Sequence, residues 1–297
     1  MNQQEVINGN DYSTMKECGN YVKLLSASNT SNRCPITKLS NREYRINRSG
    51  EIKEYNYSNS SHKSRKRLNN SCRELKDLVL TNTKQYQNCL GITLTYASEM
   101  RDLDRAGKDF NRFIDKCRRA YGKFEYINVI EPQKRGSWHH HVVFIFDKKA
   151  PFIDNAEISK KWKHGFTYTE KVESDIEIAT YLANYNLDLY YSAAVELYPE
   201  QVGSYPQYTK VKDDGTVETI VKGIAIRMIP PSMHIYRHSQ NIQKPIIRRG
   251  KKKILLSNKK YLVLENSYIA TKWDNDNRKI VNQVKYEVYS KKNRNRK

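Results

Sequence analysis

The chain contains little cysteine, no long apolar run and no phosphate-binding glycine loop. Its 5 cysteines are scattered over 297 residues without a CxxC pair, so neither a disulfide framework nor a thiolate zinc site is expected. No apolar stretch approaches the length that crosses a bilayer, and the polar first residues lack the apolar centre of a signal peptide. No GxxxxGK precedes a Ser or Thr, so the chain should not hydrolyse ATP. We expect an intracellular protein without a membrane partner.

Positive charge is in large excess. The sequence has 53 Lys+Arg against 32 Asp+Glu, a formal net charge of +21. A cationic surface of this size attracts polyanions, and nucleic acid is the first candidate. The 22 tyrosines add flat rings on which unpaired bases can stack, a combination typical of single-strand binding surfaces. The alternative is compositional drift, because many Asn, Lys, Ile and Tyr residues also suit an A+T-rich genome.

The periodicity of apolar residues places the main folded domain at residues 61–200. Residues 1–60 are polar and predicted to be poorly ordered, 201–250 extend the domain, and 251–297 form a basic tail. The order β-α-β-β-α-β-α with hairpin strands favours an α+β fold, an antiparallel β-sheet core with helices packed on it. The predicted elements are strand 90–96, helix 102–121, strands 124–131 and 138–146, helix 155–163, strand 165–172 and helix 174–193.

Two histidines mark a candidate metal site. His139 and His141 lie two apart in a predicted strand, so both imidazoles share one face while His140 points the other way. A turn-like segment, 132–137, would return Glu131 beside them if residues 124–131 form the partner strand. Two nitrogens and one carboxylate leave open positions on a metal ion, an arrangement suited to catalysis. The alternative is that these are structural or adventitious histidines.

Two tyrosines form a second candidate element. Tyr181 and Tyr185 are four residues apart in a predicted helix, so both hydroxyls should project from one face. In a chain this rich in tyrosine, such a pair is more often packed or exposed than catalytic. Beside a metal ion and a cationic groove, however, a tyrosine oxygen can attack a phosphodiester while the ion polarises the phosphoryl oxygens.

Three ordered segments resemble the motifs of a known family. Gly91–Tyr96, Glu131–Phe144 and Tyr181–Tyr185 look like the three motifs of rolling-circle replication initiators in the HUH endonuclease superfamily. The superfamily is named for two histidines that flank one residue, usually hydrophobic. The likeness is closest to initiators of bacterial plasmids and small single-stranded DNA phages, and it covers roughly residues 65–245.

The resemblance implies a metal-dependent nickase and strand transferase that forms a 5′-phosphotyrosine intermediate. Residues 61–200 would then be the HUH endonuclease domain, with a ferredoxin-like or RRM-like fold. His139 and His141 would be metal ligands, Glu131 the third ligand or its close neighbour, Tyr181 the nucleophile and Tyr185 the second tyrosine of two-tyrosine relatives. The expected cofactor is Mg²⁺ or Mn²⁺. The expected partners are single-stranded or hairpin origin DNA, a host helicase and replication proteins, in the cytoplasm of a bacterial host cell.

The sequence departs from the family pattern at three positions. The family commonly has lysine where this chain has Asn184 and Asp188; a cation there would lower the tyrosine pKa or hold the scissile phosphate. His140 replaces the usual hydrophobic residue, and it could pack on the far face or compete as a ligand if the strand is bulged. These departures keep open a catalytically degenerate origin-binding protein. Within the same chemistry, a relaxase or transposase is the nearest alternative, whereas the charge of +21 disfavours a zinc hydrolase of small molecules.

Overall fold

The computed structural model describes residues 12–27, 36–40, 42–47, 49–55, 62–83, 86–256, 261–274 and 277–291. The chain divides into two compact units, which we name by their position in the sequence. Ser60–Lys244 is the central unit, and Met1–Asn59 with Pro245–Lys297 is the terminal unit.

The described residues form strands, α-helices and short 3₁₀ helices, numbered in chain order. The strands are β1 (Tyr12–Cys18), β2 (Tyr21–Ala27), β3 (Ile36–Lys38), β4 (Glu43–Ile46), β5 (Ile52–Glu54), β6 (Cys89–Thr95), β7 (Glu125–Pro132), β8 (Trp138–Ile145), β9 (Thr167–Lys171), β10 (Leu189–Tyr190), β11 (Gln207–Val211), β12 (Val217–Val221), β13 (Tyr236–His238), β14 (Ile246–Lys251), β15 (Tyr261–Asp274) and β16 (Asn277–Ser290). The α-helices are α1 (Arg65–Asn82), α2 (Leu103–Tyr121), α3 (Asn155–Trp162), α4 (Asp175–Ala183), α5 (Tyr191–Leu197) and α6 (Lys252–Leu255), and the 3₁₀ helices are Tyr86–Asn88, Val202–Ser204 and Ile224–Met228.

A five-stranded antiparallel sheet forms the centre of the central unit. Its strand order is β13-β7-β8-β6-β9. Helices α2 and α3 cover one face, where Phe110 of α2 stacks on the His140 ring and Trp162 of α3 meets the same ring edge-on. Helix α4 lies on the opposite face, because Tyr181 contacts His141, and α1 packs against α4. A second antiparallel sheet, β10-β12-β11, belongs to the same unit.

The sequence explains why α2 forms where it does. The Asp102 side chain caps its N-terminus by accepting hydrogen bonds from two backbone N–H groups, and Gly122 ends it with a φ of +76°. The apolar residues that recur at helical spacing, among them Phe110 and Phe113, are 1% exposed and pack under the sheet. Burial of this stripe fixes α2 behind the strands that carry the histidines.

The predicted α+β class is confirmed, and the element order β-α-β-β-α-β-α is observed from β6 to α4. The helix predicted for 174–193 is wrong in length, since α4 ends at Ala183 and Asn184 leaves the helical region with φ −85° and ψ 70°. The chain then continues through β10 into the separate helix α5. No helix in the described part of the chain is long and apolar enough to cross a membrane.

The terminal unit contains strands where the sequence predicted loops and a tail. The expectation for 1–60 is wrong for residues 12–27, because β1 and β2 form a hairpin, and the expectation for 251–297 is wrong for β15 and β16. These strands join β14 in one antiparallel sheet of order β14-β1-β2-β16-β15. Its partners come from the two ends of the chain, so no local pattern reveals the pairing. A small sheet, β3-β4-β5, completes the described strands of this unit. The 61–200 and 201–250 boundaries stay a prediction.

Gly165 provides a stability test of the central sheet. It has a φ of +153°, and a Cβ at this position would lie 2.6 Å from the Thr95 carbonyl oxygen at the end of β6. We expect Gly165→Ala to lower the free energy of unfolding by about 2 kcal/mol or more. The new Cβ would clash with backbone atoms of β6, and alanine rarely adopts this φ angle. Urea denaturation checks this. Gly203→Ala is the control, since a Cβ there meets nothing within 4 Å. Equal stability of the two variants would show that the close approach of Gly165 to β6 does not constrain the fold.

Candidate active site

Three potential metal ligands converge on one face of the β7–β8 hairpin. The register pairs Glu131 with His139, and His141 lies two residues further along β8 on the same face. His139 Nε2 lies 2.7 Å from His141 Nε2, while Glu131 Oε1 lies 3.0 Å from His141 Nε2 and 3.4 Å from His139 Nε2. The sequence-predicted ligands are therefore brought together.

The environment of His139 prepares its Nε2 atom for a cation. Nδ1 lies 3.0 Å from the Glu131 carbonyl oxygen, a contact in which Nδ1–H donates and the lone pair is left on Nε2. Burial, reinforced by the neighbouring His141, lowers the pKa of His139 to about 4. The ring is thus neutral at physiological pH, the form that binds metals.

The carboxylate of Glu131 is held from the opposite side. Its second oxygen, Oε2, accepts a hydrogen bond of 3.1 Å from the backbone N–H of Asn186 in the segment after α4. Glu131 is 8% exposed and His139 6%, so the donor atoms lie in a largely buried pocket of the sheet face. A buried carboxylate with one oxygen fixed by an N–H group keeps the other oxygen aimed at the histidines.

His141 connects the ligand cluster to a tyrosine. Its Nδ1 lies 2.9 Å from Tyr181 Oη and 3.1 Å from Thr93 Oγ1. The two rings meet edge to face with centroids 4.9 Å apart. Tyr181 is 47% exposed, so solvent reaches its side chain while its ring contacts His141. Partial burial raises the pKa of Tyr181 above its ordinary value, and the hydroxyl is protonated at neutral pH.

Tyr185 does not share this position. The prediction that both hydroxyls project from one helix face is wrong, because α4 ends before Tyr185. Its hydroxyl instead donates a 2.7 Å hydrogen bond to the carbonyl oxygen of Ile130 on β7. Burial, with Glu131 and Cys72 nearby, raises its pKa well above the ordinary value. Tyr185 ties the chain after α4 to the strand that carries Glu131.

His140 lies on the far face, as the strand periodicity predicts. The β7–β8 pairing runs without a register shift, so no bulge turns this ring toward the ligands. It is fully buried and stacks on Phe110 with centroids 5.1 Å apart. Burial, followed by the charge of Arg237, lowers its pKa to about 3. His140 is therefore a neutral core residue and not a ligand.

The two positions that lack lysine have different surroundings. Asn184 is exposed at the end of α4. Asp188 accepts hydrogen bonds from the Gly223 N–H at 2.9 Å and from the Tyr208 hydroxyl at 3.1 Å, so its carboxylate holds neighbouring segments. A cation does approach α4 from α1, where Lys76 Nζ donates a 3.0 Å hydrogen bond to the hydroxyl of Thr180, the residue before Tyr181.

Sequence reasoning missed two partners of the site, Thr93 and Asn186. Thr93 had a usable signal, because the alternation of polar and apolar residues along 90–96 puts it on the face opposite Ile92 and Leu94, and the register pairs it with His141. Asn186 had none, since its contribution is a backbone N–H positioned by the early end of α4.

The donor set fits a divalent cation. Glu131, His139 and His141 each offer one ligand atom, and these atoms all lie within 4.8 Å of one another. Two imidazoles and one carboxylate are typical of an open catalytic site and suit several divalent metals. Nε2 of His139 and Nε2 of His141 lie 2.7 Å apart, close enough for both lone pairs to reach one cation.

The antiparallel sheet thus carries a possible metal triad beside a half-exposed tyrosine. Residues 89–188 match the family model described as replication-associated protein ORF2. The match covers about a third of the chain and contains the triad with Tyr181 and Tyr185. It supports a replication initiator role. No curated protein and no solved structure matches the chain significantly.

Metal binding separates the triad from a chance cluster. We expect Glu131→Gln to weaken Mn²⁺ binding roughly 10- to 100-fold, because the substitution removes the ligand charge without changing the side-chain shape. Isothermal titration calorimetry measures this. Glu125→Gln is the matched control, since it makes the same change at the other end of β7. Equal affinities for both variants would contradict the metal assignment.

A second prediction concerns Tyr185. We expect Tyr185→Phe to lower the free energy of unfolding by about 1–2 kcal/mol, because the buried Ile130 carbonyl loses its hydroxyl donor. Tyr208→Phe, which removes an exposed hydroxyl from Asp188, should change stability by less than about 0.5 kcal/mol. Chemical denaturation compares them, and a neutral Tyr185→Phe would show that this hydrogen bond is not structural.

Proposed function

We propose that the chain is a rolling-circle replication initiator, a metal-dependent endonuclease that nicks one strand of origin DNA and joins itself to the 5′ end. The observation that carries this proposal is the 2.9 Å contact between Tyr181 Oη and Nδ1 of His141. The same histidine offers Nε2 to the triad of possible ligands. One imidazole therefore joins the candidate nucleophile to the candidate metal centre.

His139, His141 and Glu131 would hold the cofactor, Mg²⁺ or Mn²⁺. When bound, a divalent cation supplies positive charge that polarises the scissile phosphate and stabilises the departing oxygen. If Nε2 of His141 serves as a ligand, its Nδ1 would carry the ring proton and would donate a hydrogen bond to Tyr181 Oη. This contact orients the phenol oxygen and stabilises negative charge that develops on it.

The reaction is a transesterification in which atoms balance without a further reactant. The Tyr181 oxygen forms a bond to the phosphorus, and the bond from phosphorus to the 3′ oxygen breaks. The phenol proton leaves to water, which reaches the half-exposed side chain. The departing oxygen takes up a proton and becomes a free 3′-hydroxyl. A phosphotyrosine ester keeps the energy of the broken bond, so a later 3′-hydroxyl can displace Tyr181 and rejoin the strand.

Tyr181 is the nucleophile in this proposal, and Tyr185 is a positioning residue. The Tyr181 hydroxyl lies beside the triad on a half-exposed side chain, whereas the Tyr185 hydroxyl donates its hydrogen bond to the Ile130 carbonyl. Lys76 near Thr180 brings a positive charge to the helix of Tyr181 in place of the absent lysine. Strand separation would fall to a host helicase, because the sequence lacks an ATP-binding loop. The setting would be the cytoplasm of a bacterial host, with single-stranded or hairpin origin DNA.

A nicking assay tests the assignment. With Mn²⁺ and a fluorescent single-stranded oligonucleotide from the replicon's own origin, we expect a denaturant-stable protein–DNA adduct. Tyr181→Phe should reduce adduct formation by at least roughly 10³-fold, while Tyr185→Phe should reduce it far less, because the Tyr185 hydroxyl is engaged by the Ile130 carbonyl and only positions the site. The products are separated on a denaturing gel.

The result also separates this function from its alternatives. DNA binding without any adduct would favour the catalytically degenerate origin-binding protein. An adduct that survives Tyr181→Phe and disappears with Tyr185→Phe would reverse the assigned roles. Cleavage only at a transfer or transposon-end sequence would favour the relaxase or transposase.

A further inference from the structure

Most of the net positive charge lies outside the unit that holds the candidate active site. The terminal unit has 24 Lys+Arg against 10 Asp+Glu in its 112 residues, whereas the central unit has 29 against 22. The terminal unit thus carries +14 of the formal +21, although the family match at residues 89–188 does not include any of it. Nicking chemistry alone gives no reason for this distribution.

The register places three acidic side chains of the terminal sheet on one face. Residues directly opposite each other in antiparallel strands share a face, and the pairings place Glu17, Glu265 and Glu287 together. The same face carries Met15 and Leu24, which are 2% and 0% exposed and pack with apolar side chains of α6 and β16. We call it the packed face.

The acidic residues of the packed face are neutralised locally. Glu17 meets Lys291 Nζ at 2.9 Å and Arg248 at 3.7 Å. Glu287 meets Lys252 at 2.8 Å, and Glu265 meets Lys285 at 3.0 Å. Charge on this side of the sheet is therefore balanced pair by pair, and it offers little net attraction to a polyanion.

The opposite face is cationic and apolar. No acidic residue occupies a paired position on it within β14, β1, β2 and residues 284–290 as the structure describes them. Lys16 and Lys23 lie half-buried near its centre. Its exposed side chains, which we call the basic face, are Tyr12, Leu25, Ile247, Arg249 and Lys251.

The members of the basic face lie next to one another. Tyr12 pairs directly with Lys251, and Thr14 pairs with Arg249 on one side and Leu25 on the other. Tyr12 is 39% exposed, Leu25 47% and Ile247 56%. The tyrosine ring and the two aliphatic side chains are therefore accessible to solvent beside the cations. Neither Arg249 nor Lys251 forms an ion pair with another described residue.

We propose that the basic face binds single-stranded DNA. Cations along a sheet neutralise successive phosphates, and an exposed tyrosine ring with aliphatic neighbours gives unpaired bases a surface on which to stack. The absence of acidic side chains from this part of the face suits a polyanion. The exposed tyrosine ring and aliphatic side chains also offer contacts to unpaired bases, which a double helix keeps stacked inside. The face would hold the strand outside the central unit, independently of cleavage.

The test measures binding of the full chain to a fluorescent 20-nucleotide oligothymidine in EDTA, where no nicking occurs. Each lost phosphate contact should reduce the slope of log affinity against log salt by about 0.7, so Arg249→Ala/Lys251→Ala should reduce it by about 1.4. At 0.1 M salt this corresponds to roughly 10- to 30-fold weaker binding. Tyr12→Ala should also weaken binding, and Tyr12→Phe should restore it.

The matched control is Arg248→Ala/Lys291→Ala, which removes the same charge from the packed face at Glu17. It should change affinity by less than about twofold. Equal losses for both pairs would show general electrostatic attraction and overturn the proposal, as would unchanged binding by Arg249→Ala/Lys251→Ala or a loss confined to duplex DNA. Because binding and adduct formation are measured separately, failure here leaves the Tyr181 assignment untouched, and the reverse also holds.

Discussion

The antiparallel register of β7 and β8 places Glu131 directly opposite His139. A shift of one residue would move either the carboxylate or both imidazoles to the far face, because side chains alternate along a strand. Three features hold this register. The turn between the strands is closed by Gly136 with a φ of +77°, β6 pairs with β8 on its other edge, and the helices α2 and α3 bury the far face around His140. The geometry of the candidate metal site thus depends on packing on the opposite face of the sheet.

Patterns that repeat at short range made much of the central unit predictable. Alternation along β8 identified the shared face of His139 and His141, and the apolar stripe of α2 identified its buried side. The early end of α4 was not predictable, because residues 184–190 keep a helix-compatible pattern while backbone and side-chain contacts to β7 draw the chain away. The prediction that Tyr181 and Tyr185 share a helix face was wrong for the same reason, since it assumed that the helix continues past Ala183. The terminal sheet was missed for a different reason, since β1 finds its partner β14 more than two hundred residues away.

The central unit has a small excess of positive charge and a candidate site made of a few donor atoms. Its triad is largely buried and contacts one half-exposed tyrosine. The terminal unit instead has ion pairs on one side of its sheet and the exposed side chains of Arg249 and Lys251 on the other. Short-range coordination needs a few precisely placed donors, whereas attraction of a polyanion needs many charges and little geometry. Because the triad and the basic face belong to different units, substitutions on the basic face can change the attraction of a polyanion without changing the triad.

The Tyr185 hydroxyl is held by the Ile130 carbonyl, and this has a consequence for stoichiometry. If Tyr181 forms the proposed phosphotyrosine bond, a site with one available phenol carries one DNA end at a time. A reaction that both opens and rejoins a strand in this way would need two such transfers, supplied either by a second copy of the protein or by release and reuse of the first. The number of molecules at the DNA, or the rate at which each is released, would then limit how often a strand is rejoined.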